Sequence, residues 1–111
     1  MPRGEKAPAN ATTTALAASL VVKAAAGILY GIAGYNDKSS AQYIQVHDAA
    51  SLPANGATPV LTFQVPATSA FSVDYGAYGR DCGTGIVVCN SSTAGTKTIG
   101  SADCWFDVQY V

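Results

Sequence analysis

Charge is scarce in this 111-residue chain: Asp, Glu, Lys and Arg make up 12% of it, Glu occurs once and Lys four times. No basic face can be assembled from six cations, which excludes a nucleic-acid binder. A net charge of −1 likewise excludes an acidic or basic disordered tail. So few Glu and Lys leave little from which to build surface helices. Leu is scarce too, five residues against fifteen Val plus Ile. What is abundant is Ala, at twenty, with nineteen Ser plus Thr, eleven Gly and six Tyr. Ala packs but fills little volume, and the rest is the composition of a compact all-β domain.

Histidine occurs once and cysteine three times. Three thiols are too few for a disulfide scaffold, and an odd number leaves one over. Cys82, Cys89 and Cys104 are separated by gaps of six and fourteen residues, without the close pairs of a zinc site, so no metal and no cofactor is expected. Cys89 ends an apolar run and Cys104 begins one, so both read as small buried hydrophobes. Free thiols suit assembly in a reducing cytoplasm.

Ala15 to Gly34 superficially resembles a membrane span, but Lys23 near its centre costs roughly 3 kcal/mol in a bilayer and Ala and Gly do little to offset it. A signal peptide is also rejected. The apolar stretch Leu16 to Val22 is short, and Lys23 falls just before the supposed cleavage site. Residues 1–14 contain no large aliphatic residue after Met1 and read as an extended N-terminal arm that gains order only against a partner.

Residues 15–111 read as one domain of seven to eight short strands. Leu16 to Ala26 is the most ambiguous of these, and Gly27 to Tyr35 forms a second strand in which Gly31 and Gly34 mark bulges. In Ala41 to Asp48, Ile44 and Val46 face inward, while Tyr43, Gln45 and His47 face solvent or an interface. Pro59 to Val65 alternates with Leu61, Phe63 and Val65 inward, and Phe71, Val73 and Tyr75 follow the same rule. Ile86 to Cys89 is continuously apolar, the mark of a strand buried on both faces. Thr96 to Ile99 suits a short edge strand guarded by Lys97. Cys104 to Val111 closes the chain with Phe106, Val108 and Tyr110 on one face and Trp105, Asp107 and Gln109 on the other. Such a pattern specifies an antiparallel β-sandwich, jelly-roll-like.

No catalytic set emerges. His47 and Asp48 are adjacent on a strand and point to opposite faces, so they form no dyad. No nucleophile elbow and no spaced carboxylate pair is present. Gly83-Thr84-Gly85 is too short for a phosphate loop and lacks its Lys. The chain reads as non-enzymatic. Outward aromatics exceed what a small core needs, and Tyr and Trp beside Arg are favoured interface anchors. Tyr35, Tyr43, Tyr75, Tyr78, Arg80 and Trp105 are the expected partner contacts; Tyr30 is an alternative to Tyr35.

Several segments carry a resemblance: Leu29-Tyr30-Gly31, Gly34-Tyr35-Asn36, Gln42 to Asp48, Thr84 to Ser91, Thr96-Lys97-Thr98 and Asp103-Cys104-Trp105-Phe106. Together they span residues 21 to 111, and their overall pattern is similar to small virion proteins of tailed bacteriophages, most like capsid cement or decoration proteins. The resemblance implies a β-sandwich on the outer capsid surface, assembled in the host cytoplasm. Its partners would be the major capsid protein and copies of itself, as dimer or trimer, with no nucleic acid and no membrane. Two other readings stand beside it. One is a tail, neck or fibre-associated virion protein. The other is a carbohydrate-binding module, which needs outward aromatics gathered on one concave patch with polar neighbours.

Overall fold

Nine strands organise residues 8–111, the part of the chain that the structure, a computed structural model, describes. They are β1 (Ala9–Thr12), β2 (Ser19–Lys23), β3 (Gly27–Asn36), β4 (Gln42–His47), β5 (Leu61–Val65), β6 (Ser69–Asp74), β7 (Arg80–Cys82), β8 (Ile86–Ser91) and β9 (Cys104–Tyr110). All pairings are antiparallel. The first sheet runs β1-β9-β3-β6, with β7 also on β3; the second runs β2-β8-β4-β5. No helix among the described residues is long and apolar enough to cross a membrane. The twenty residues from Ala15 to Gly34 instead supply β2 and most of β3.

Period-2 alternation builds the core between the sheets. Leu29, Ile32, Phe106 and Val108 come from the first sheet, and Val22, Ile44, Val46, Val65, Ile86 and Val88 from the second. Each such aliphatic contributes roughly 1.5–3 kcal/mol when fully buried. Phe63, Phe71 and Phe106 form an aromatic file across it, with centroids 5.8 and 6.4 Å apart. Leu61 and Phe63 are half-buried at its margin. At one end the core is closed by amides: the Gln42 side-chain nitrogen donates to Asn36 Oδ1 at 3.0 Å, and Asn90 Nδ2 donates to the Ser101 carbonyl at 2.9 Å.

Gly34 faces inward, where an added Cβ would meet the backbone carbonyl of Trp105 and lie 2.6 Å from the Phe71 ring. It serves close approach and lies outside the register shift, which falls between Leu29 and Gly31. Bulging at Gly31 therefore follows the sequence pattern, and the role expected of Gly34 does not.

Several expectations are corrected. Seven residues of the arm, 1–7, lie outside the described part. The rest does not wait for a partner: Ala9–Thr12 pair with β9 of the same chain, and the Thr13 hydroxyl accepts the Phe106 N–H at 3.1 Å. Leu16 to Ala26 is a strand only over Ser19–Lys23. Thr96 to Ile99 forms no strand beyond a single bridge from Ile99 to Ser91. Its Lys97 is not an edge guard but is buried, 3% exposed. His47 does not face solvent; it is also 3% exposed. Tyr30, offered as an outward aromatic, is fully buried.

Candidate functional site

The outer face of the first sheet is set by alternation along β3 and the two strands that flank it, β9 and β6. On β3, Gly31, Ala33 and Tyr35 point outward; on β9, Trp105, Asp107 and Gln109 do; on β6, Ala70, Ser72 and Asp74 do. Register then aligns them in rows. Tyr35 lies opposite Trp105 and Ala70, Ala33 opposite Asp107 and Ser72, and Gly31 opposite Gln109 and Asp74. The central strand carries almost no side chain in the last two rows, whereas both flanking strands carry polar ones. A groove of about 230 Å³ results, floored by Gly31 and Ala33 and walled by Asp107, Gln109, Ser72 and Asp74. Asp74 also accepts the Gly76 N–H at 2.7 Å, which fixes the turn beyond β6.

Of the six expected contact residues, Tyr35 and Trp105 are brought together, 36% and 41% exposed, at one end of this groove. Tyr75, Tyr78 and Arg80 form a second group at the opposite end of the sheet. Tyr78 projects from a tight loop and is 72% exposed. The loop turns at Gly79, whose φ of 69° lies in the left-handed region and whose Cβ would sit 2.6 Å from the Leu29 carbonyl. Tyr75 is half-buried against the core, its backbone N–H donating to the Tyr30 carbonyl at 2.9 Å, and burial raises its phenol pKa. Tyr43 is separate from both groups, half-buried on the second sheet between Gln64 and Ser91.

The second sheet's outer face is covered by the chain itself. The side-chain nitrogen of Gln45 donates to the carbonyls of Thr93, Ala94 and Thr96 at 2.8, 3.2 and 3.0 Å. Lys97 reaches Asn55 Oδ1 at 2.9 Å. His47 Nε2 lies 3.1 Å from Gln45 Oε1, and burial, reinforced by the Lys97 charge, lowers its pKa.

Chemically, the described residues offer little reactivity. All three cysteines are free and buried. Burial pushes the Cys89 thiol up to about 11 and raises Cys82 and Cys104 as well, so none supplies a thiolate at neutral pH. No group of three or more His, Cys, Asp or Glu suited to a metal ion occurs among the described residues. The Gly83-Thr84-Gly85 amides do bind an anion, but it is the chain's own. Asp48 accepts from Thr84 at 2.8 Å, Gly85 at 3.2 Å and Gly83 at 3.1 Å, and these bonds hold its carboxyl below the usual range.

Sequence reasoning missed the groove. Its signal was present, small residues at Gly31 and Ala33 flanking inward Ile32, but the walls come from strands distant in sequence. No protein-family model, curated protein or solved structure matches this chain.

Proposed function

We propose that the protein is a non-catalytic structural component of a phage virion: a capsid cement or decoration protein that binds the major capsid protein and copies of itself. One observation supports this reading most. The cross-strand row Ala9, Tyr110, Leu29, Arg80 runs along one end of the first sheet. The N-terminal segment therefore joins the domain beside the loop that carries Tyr78 and Arg80. Ala9, at the start of β1, and the loop with the exposed Tyr78 and Arg80 thus share one end of the sheet, which this reading takes as the docking end. Aromatic and Arg anchors of this kind carry binding energy out of proportion to their number. Contacts of about 800 Å² per partner, repeated over many copies, would strengthen the shell against heat and internal DNA pressure.

The test compares particles that carry the protein with particles that lack it, under heating and osmotic shock. Cementing predicts greater DNA retention where the protein is present. Equal retention, with absence verified in one sample, removes the reading; low copy number at a neck or fibre moves the protein to the tail. Tyr78→Ala with Arg80→Ala, and separately removal of residues 1–7, should each release the protein from particles while leaving a folded domain.

A further inference from the structure

We propose that the outer edge of β6 is a self-association surface: two copies join β6 to β6 about a two-fold axis, and their first sheets merge into one. The inference rests on the reading above only in naming where copies meet. It concerns the free protein, so the two can fail separately.

The edge comes first. β6 ends its sheet, and among the described residues no strand pairs with its outer side. The Tyr75 N–H donates to the Tyr30 carbonyl, so by alternation Ser69, Phe71 and Val73 also turn their backbone groups toward β3. Ala70, Ser72 and Asp74 turn theirs away. Three N–H and three C=O groups therefore stand in a row along the edge. Natural edges are blunted by Lys, Pro, a bulge or shortness. β2 carries Lys23 and a register shift, and β1 is four residues long. β6 runs six residues in unbroken register without Lys, Arg or Pro.

The flank beside this edge is also open. Between β1 and β2 the chain bonds to both sheets and closes the sandwich: the Ala17 N–H donates to the Cys104 carbonyl at 2.8 Å, and the Asn90 N–H to the Ala18 carbonyl at 3.0 Å. At the β5–β6 flank Leu61, Phe63 and Phe71 pack against the core yet remain half-buried. A strand added to β6 covers that margin.

A second copy fits the edge because the edge complements itself. One antiparallel register uses all three outward residues of both copies, with Ser72 opposite the partner's Ser72 and Ala70 opposite the partner's Asp74. Each copy then gives three hydrogen bonds and accepts three. Asp74, the strand's single charge, meets no like charge, and Phe71 lies beside the partner's Val73 over the open margin. The contact consumes both edges, so association closes at the dimer.

The test follows full-length protein by sedimentation equilibrium over a micromolar concentration series. A reversible monomer–dimer equilibrium is expected. Ser72→Pro removes the central outward N–H, a change that an edge strand tolerates, and should weaken the dimer about tenfold or more with unchanged far-UV circular dichroism. Ala70→Asp leaves the backbone intact but sets carboxylates against each other twice per dimer, and should weaken it about fivefold. Ala70→Lys faces the partner's Asp74 and should tighten it, an effect that added salt removes. Monomer at every concentration overturns the proposal. So does a dimer or larger assembly indifferent to Ser72→Pro and Ala70→Asp, or one weakened equally by Ala70→Lys and Ala70→Asp. No particle enters this measurement, so a failure of cementing leaves the dimer standing.

Discussion

The two sheets share one core yet treat their outer faces in opposite ways. On the first, Trp105, Asp107, Gln109, Ser72 and Asp74 are exposed around a groove. On the second, the chain folds residues 92–99 back over β4 and β8, and Gln45, His47, Val87, Cys89 and Lys97 vanish from the surface. A buried amide and a buried ammonium are costly unless hydrogen-bonded, so the cover exists only because Gln45 and Lys97 find partners. The contrast locates function. A polar residue on the covered face is locked into bonds with the loop above it, as Gln45 is, whereas the side chains of the open face stand at the surface.

The largest expected effect comes from breaking the cover. Gln45→Ala removes the donor shared by three backbone carbonyls and should cost about 2–3 kcal/mol, because those acceptors lose their partner in a buried setting. Urea unfolding checks this; a loss below about 0.5 kcal/mol would mean that the loop is held by its other bonds, among them the backbone pairs with Gly56 and Ala57 and the contacts to Asn55.

Acid should act on the same face next. His47 has its pKa lowered below the ordinary 6.5, by burial first and Lys97 second. Above pH 6.5 both folded and unfolded chains hold it neutral, and it contributes no pH dependence. As pH falls below that value the unfolded chain takes up the proton first, so stability declines until the folded His47 also titrates. Urea midpoints between pH 7.5 and 5 should fall in the wild type and flatten in His47→Gln. Asp48 acts in a separate, lower window, because its depressed pKa removes stability only as pH drops through the carboxylate range.

This contrast also marks where the sequence was legible. Strand period two correctly sorted Ile44 and Val46 from their neighbours, and Phe106 and Val108 from Trp105, Asp107 and Gln109, because each decision needs only local alternation. It misplaced His47 and Lys97, since nothing within Gln42–His47 encodes a cover supplied some fifty residues later. Thr96 to Ile99 carries strand-like residues, but its backbone bonds go to Gly56, Ala57 and Ser92. Ala9–Thr12 has too little apolar surface to announce a strand; pairing with β9 makes it one. For the site, Tyr35 and Trp105 were readable as outward residues. Their juxtaposition, and the Gly31–Ala33 floor beside it, depend on a register between β3 and β9 that no local pattern carries.

A smaller effect is expected where the chain crosses from the second sheet to the first. Thr68, between β5 and β6, has a φ of 47°, a left-handed conformation that a β-branched residue adopts at a cost of about 1–2 kcal/mol. Thr68→Gly relieves that strain but loosens the unfolded chain, which offsets part of the gain. A net stabilisation of about 0.5–1 kcal/mol should appear as a higher urea midpoint with unchanged slope.

The smallest effect is the most informative about the open face. Asp107 is exposed on β9, opposite Ala33 and Thr12, neither of which offers it a charge to pair with. Truncating it should change stability by no more than about 0.5 kcal/mol in either direction, because a solvated carboxylate loses little when removed. The equivalent truncation at Gln45, on the covered face of the other sheet, costs several times more. Measured side by side in urea, the two variants test whether the sheets differ as their outer faces suggest. A loss at Asp107→Ala comparable to that at Gln45→Ala would show that this wall of the groove holds the fold together and that the two outer faces do not differ as described.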